Sequence, residues 1–125
     1  MDYAINRIPD TELEIMQVIW DCKPPVSRAD IEEGLKGRHS LAPTTILTLL
    51  SRLVERGALV TEKQGRSNVY TPVFPREEYL AAQSRRFLQK LCGGDLHVFA
   101  SALCGSGLSR DEVAELRRLL DEEKL

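Results

Sequence analysis

Apolar residues recur with a helical period at Ile46, Leu49, Leu50, Leu53 and Val54, which stand at i, i+3, i+4, i+7 and i+8 and so share one helix face. Pro43 suits the first turn of that helix, where a missing N–H is no loss, and Gly57 is a C′ stop. The opposite face carries Thr44, Thr48, Ser51, Arg52 and Glu55, with Thr45 at its edge. Ahead of it, Leu13, Met16, Ile19 and Trp20 predict a helix that opens at Pro9-Asp10 and closes before Lys23-Pro24-Pro25, because consecutive prolines cannot continue it. Trp20 is read as a core anchor. Val26-Ser27 restarts the chain, with Ser27 as N-cap, Asp30 at N3 in place of the usual Glu, and Val26 stapled onto Ile31. That short helix runs to about Lys36 and stops at Gly37. The second and third helices, joined by a short Gly-containing turn, form a helix-turn-helix.

After Gly57 the period changes to two. Leu59, Thr61 and Lys63 alternate with Val60 and Glu62, Gln64-Gly65-Arg66-Ser67 supplies a turn, and Val69, Thr71 and Val73 alternate around Tyr70. This predicts a β-hairpin with Lys63 and Arg66 at its tip. Basic residues there can reach a groove or its phosphates, or can be ordinary solvated turn residues. Pro72 and Pro75 mark a boundary between domains at 1–75 and 76–125. Beyond it, one helix is expected from Arg76 to Leu91, a second over 96–104 capped by Asp95, and a third opened by the capping box Ser109-Arg-Asp-Glu112. The fold class is therefore mainly α with a small β-hairpin wing: an N-terminal winged helix-turn-helix followed by a C-terminal helical region.

Three short helices rarely make an independent core, and the 96–104 segment is apolar nearly all round, so something must bury it. A second copy meeting it about a two-fold axis does so economically; folding back on the N-terminal domain is the alternative. The residues expected to build such a dimer are Phe87, Leu91, Leu96, Val98, Phe99, Leu103, Val113, Leu116 and Leu120.

Charge changes the picture of the helix at 43–55. The net charge is −2, which alone argues against a nucleic-acid partner. Its distribution argues the other way: residues 2–35 hold eight acidic and three basic side chains, residues 36–66 two acidic and six basic. Segregated charge matters more to a binding face than the sum. No run of 18 apolar residues and no signal-peptide pattern is present, so no membrane association and a cytoplasmic location are expected. Cys22, Cys92 and Cys104 are widely spaced without a CxxC or CxC pair, and neither a disulfide scaffold nor a metal or other cofactor is expected. The histidines, His39 and His97, are far apart, and the sequence holds no nucleophile motif, paired carboxylates or phosphate loop; no enzyme is expected.

The run Pro43-Thr-Thr-Ile-Leu-Thr-Leu-Leu-Ser-Arg-Leu-Val-Glu-Arg-Gly57, followed by a basic hairpin and Gly65-Arg-Ser-Asn-Val-Tyr-Thr-Pro72, resembles the penicillinase-repressor family of bacterial winged-helix regulators, the BlaI/MecI/CopY type. Glu12-Leu-Glu-Ile-Met-Gln-Val-Ile-Trp20 and Leu108-Ser-Arg-Asp-Glu-Val-Ala-Glu-Leu-Arg-Arg-Leu-Leu120 extend the likeness over nearly the whole chain. The resemblance implies a homodimeric repressor that binds double-stranded palindromic operators. It implies a recognition face of Thr44, Thr45, Thr48 and Arg52, with Ser27 and Arg28 near phosphates and Lys63 and Arg66 on the wing. Three departures stand out. Members induced by β-lactams are cleaved at an Asn–Phe bond, where this chain reads Ala100-Ser-Ala-Leu103; copper-responsive members carry a CxC motif, absent here; and Ala42 occupies a cap position where Ser is common. The inducing signal, and any upstream sensor or protease, are therefore not set by the likeness. Cys92, His97 and Cys104 have no recognised zinc spacing; the cysteines are read as small apolar residues, with a thiol or soft-metal switch formed by the three as the other reading. The alternative to a repressor is a winged-helix adaptor that binds proteins and not DNA.

Overall fold

The computed structural model describes residues 5–38 and 40–123, so His39 lies outside it. Contacts divide the chain between Gln83 and Ser84. In the first unit, α1 (Asp10–Asp21), α2 (Arg28–Leu35) and α3 (Pro43–Glu55) are followed by β2 (Leu59–Gln64) and β3 (Ser67–Pro72), with a two-residue strand β1 (Val26–Ser27) before α2. The helices begin and end where the caps and prolines place them. Their apolar faces meet in one core: Ile15, Met16 and Ile19 of α1, Ile31 and Leu35 of α2, and Ile46, Leu50 and Leu53 of α3. Leu59, Tyr70 and Val26 close it from the sheet side.

The sheet is antiparallel in the order β1-β3-β2, with Val26 opposite Tyr70 and Gln64 opposite Ser67. That leaves Gly65 and Arg66 as a two-residue loop. Gly65 has φ +68 and no described non-glycine residue has positive φ, the pattern of a type II′ hairpin turn. The third strand, β1, was not expected. Val26-Ser27 does double service, pairing with the wing and capping α2.

The first unit continues past Pro75 because α4 (Arg76–Arg86) is anchored in it. Tyr79 is buried against Phe74, with ring centroids 6.1 Å apart, and against Trp20 at 5.5 Å. Its hydroxyl accepts the Ile8 N–H at 2.9 Å. Trp20 serves as the expected anchor, donating from Nε1 to the Phe74 carbonyl at 3.0 Å. Arg76 stands over the Trp20 ring and donates to the Gln17 carbonyl at 3.1 Å and to Asp21 at 2.8 Å. Asp21 ends α1, where the helix dipole disfavours a carboxylate; the hydrogen bond from Arg76, with Arg38 adding its charge, holds its carboxyl below the ordinary value. Tyr79→Phe removes the hydroxyl that accepts this buried backbone N–H, and a urea melt is expected to show a loss of about 1 kcal/mol; an unchanged midpoint would show that Ile8 needs no such partner.

The second unit contains the end of α4, a π-helical turn at Phe87–Leu91, α5 (Leu96–Gly105) and α6 (Arg110–Glu122). The single helix expected over 76–91 thus widens at Phe87. Cys92 N–H reaches back to the Phe87 carbonyl and Gly94 N–H to Leu88, and the chain then turns through Gly93 and Gly94, both at positive φ. The caps fall as expected: Asp95 accepts from His97 and Val98 N–H, and Ser109 and Glu112 form a reciprocal capping box. Phe87 and Phe99 meet at 5.5 Å. No residue of α5 or α6 is buried in the single chain; Leu91, Leu96, Val98, Leu103 and Leu120 are exposed, while Phe99, Val113 and Leu116 are half-buried.

Candidate nucleic-acid interface

The helix α3 is held from both ends and along one side. Pro43 opens it, and Ala42 offers no side-chain cap. Its far end is a Schellman motif: Ala58 N–H bonds the Leu53 carbonyl and Gly57 N–H bonds Val54, both at 3.0 Å, with Gly57 at φ +82. Ile46, Leu49, Leu50 and Leu53 are each 6% exposed or less. Thr44, Thr45, Thr48, Ser51, Arg52 and Glu55 are all exposed. The side chain of Thr48 is turned back along the helix, its Oγ1 donating to the Thr44 carbonyl at 3.0 Å.

Ser27, Arg28 and Arg66 come together with α3. They line one open groove with Leu47 and Asn68, about 370 Å³ in volume. Lys63 sits opposite Asn68 in the wing's ladder and does not line the groove. Ser27 Oγ accepts the Asp30 N–H and Asp30 accepts the Ser27 N–H, each at 3.1 Å. The start of α2 therefore already carries a carboxylate, and Ser27 has its hydroxyl hydrogen left to donate outward. Arg28 reaches Glu32 at 3.4 Å with both side chains well exposed, a pair worth little in water.

Half of the basic residues counted in the 36–66 block are committed to acidic partners. Lys36 pairs with Glu33, whose hydrogen bond raises the lysine's pKa, and Arg38 pairs with Asp21. Arg56 forms a two-pronged contact with Glu12, at 2.5 and 3.3 Å, and that hydrogen bonding raises the Arg56 pKa. Among the described residues no ion pair involves Arg52, Lys63 or Arg66. The cations left for a polyanion are thus on α3's outer face and on the wing. Leu47 and Asn68 were missed in the sequence. Leu47 stands three residues after Thr44 and four before Ser51, inside the exposed stripe, and a search for polar positions passes over it.

Elsewhere, Cys92 is buried and Cys104 exposed, and among the described residues no group of three His, Cys, Asp or Glu side chains could hold a metal ion. Burial, with Asp30 and Asp21 adding to it, pushes the Cys22 thiol up. No described helix is long and apolar enough to cross a membrane.

The family model described as penicillinase repressor matches residues 8–122. The penicillinase repressor of Bacillus licheniformis is 36% identical over 96% of this chain and 94% of its own length. The methicillin resistance regulatory protein MecI of Staphylococcus aureus is 28% identical over 98% of this chain and 100% of its own. Among solved structures, the DNA-binding domain of the repressor BlaI superposes with a TM-score of 0.52 at 38% identity, over 61% of this chain and 92% of that one. The monomeric form of Bacillus licheniformis BlaI, solved in complex with the blaP half-operator, gives a TM-score of 0.50 at 38% identity, with the same coverage. With that match across the winged helix and the helices after it, this chain belongs to the penicillinase repressor family.

Proposed function

We propose that this chain is a cytoplasmic transcriptional repressor that binds palindromic double-stranded operators as a homodimer. The observation that carries the reading is the outer face of α3: exposed hydroxyls and, among the described residues, an arginine without an ion pair, on a helix packed along its inner face and closed at its far end. Thr44, Thr45, Thr48 and Arg52 are assigned to the major groove. Arg28, Lys63, Arg66 and the Ser27 hydroxyl are assigned to phosphates on either side. The kinship with a repressor solved on a half-operator supports the same docking mode. For the dimer, the support is the exposed apolar surface of the second unit: Leu91, Leu96, Val98 and Leu120 are exposed, and Phe87 is only partly covered. A two-fold dimer places two copies of α3 on half-sites separated by near-whole helical turns. The signal that releases the protein is not assigned, since this chain has neither the Asn–Phe pair nor the CxC motif of its induced relatives.

Binding to a duplex selected from a random pool tests the reading. The wild type should show log K falling steeply with log salt, by about 0.9 for each phosphate neutralised. Thr48→Ala with Arg52→Ala should lower affinity about tenfold and leave the sedimenting dimer intact. A flat salt dependence, as for a protein-binding adaptor, or a double variant that binds as well as wild type, would overturn it.

A further inference from the structure

We propose that α3 recognises thymine by its methyl group, with Leu47 and the methyl of Thr48 as the specificity-determining contacts; the proposal rests on the DNA-binding role assigned to this face. Leu47 is 40% exposed, although the other α3 residues Ile46, Leu49, Leu50 and Leu53 are at most 6% exposed. It stands three residues after Thr44 and four before Ser51, so it shares a face with both, and Thr48 stands one turn beyond Thr44 beside it. The groove it lines also holds Arg28 and Arg66. Cations in the same groove suit a phosphate backbone, and the leucine beside them adds an apolar surface for a base edge.

Thr48 completes the patch. Its hydroxyl hydrogen is used on the Thr44 carbonyl, so the side chain cannot also donate to a base acceptor while that bond holds. What it retains is acceptor capacity and a methyl group. In the major groove thymine alone presents a C5-methyl, and apolar side chains read it. A leucine offers no hydrogen bond and is indifferent to the donor and acceptor pattern of the other bases. Leu47 and the Thr48 methyl are thus two apolar contacts, each a neighbour of Thr44 along the helix, on an otherwise polar outer surface.

Deoxyuridine isolates this contact, because it keeps every polar edge of thymine and lacks only the methyl. A duplex selected by the wild-type protein is remade with each thymine replaced in turn, and binding is followed by fluorescence anisotropy. At one or two thymines per half-site, affinity should fall about fourfold, the factor that burial of one methyl is worth. In Leu47→Ala and in Thr48→Ser the loss at the matching thymine should vanish, whereas Thr48→Val, which keeps a methyl, should retain it. Melting curves for each variant confirm that it is folded. Tolerance of deoxyuridine at every position, or an equal loss in wild type, Leu47→Ala and Thr48→Ser, would overturn the proposal while leaving DNA binding standing. Failure to select any duplex would overturn both.

Discussion

Replacing Arg56 with methionine should lower folding stability by about 3 kcal/mol, seen as a reduced urea midpoint at unchanged slope. The reason lies in an asymmetry between the two partners. Glu12 is only 2% exposed, and among the described residues its carboxylate receives hydrogen bonds from Arg56 alone. The Arg56 side chain keeps 43% of its surface in water. Removing the arginine strands a charge in the interior. Removing the charge from Glu12 instead, as Glu12→Gln, leaves a guanidinium that water can reach, and the loss should be nearer to about 1 kcal/mol. Replacing both, Glu12→Leu with Arg56→Met, should come back close to wild type, since a buried ion pair exchanged for apolar residues is often neutral. If Arg56→Met proved as mild as Glu12→Gln, the carboxylate would have to find another partner. The pair matters to the proposed function by position: it ties the first turn of α1 to the C-cap of α3, and so fixes where the outer end of that helix stands.

This pair also marks where sequence reasoning stops. Helices α1, α2 and α3 were legible because their signals are local: an apolar period, a capping serine, two prolines, a glycine at C′. The wing was legible by its change of period. Contacts between residues far apart in the chain were not. Glu12 and Arg56 are 44 positions apart, and nothing in the pattern around Arg56 separates it from Arg52, so both were counted toward one basic block. Strand β1 is two residues long, too short for any alternation, and it exists only because β3 lies beside it. Tyr79 looked like part of the C-terminal helices, yet its hydroxyl is placed by Ile8, 71 residues earlier. Of the candidate site, Ser27 and Arg28 were named from a resemblance and Arg66 from the hairpin tip, and the fold brings all three to one groove. Lys63 stands outside that groove's lining, and Leu47 within it was missed because the outer face was sought by polarity.

Gly34, in the last turn of α2, attracted no notice as a sequence feature, yet Gly34→Ala is expected to destabilise the protein by about 2 kcal/mol. On an exposed helix the same change would help, by about 1 kcal/mol, because alanine is the better helix former. Here a Cβ at Gly34 would stand 2.4 Å from Val18 Cγ1. Val18 is 2% exposed and β-branched, so its methyl has few rotamers into which to retreat. Helices α1 and α2 would have to move apart, and α2 carries Ser27 and Arg28 at its start. The competing terms can be separated in a second background. Val18→Ala alone should cost about 2 kcal/mol by opening a cavity. With that valine cut back, the clash is gone and only the propensity gain and the refilled space remain. Gly34→Ala should then raise the urea midpoint of Val18→Ala, although it lowers that of the wild type. A change of the same sign in both backgrounds would mean that the close approach of α1 and α2 at Gly34 does not govern the packing.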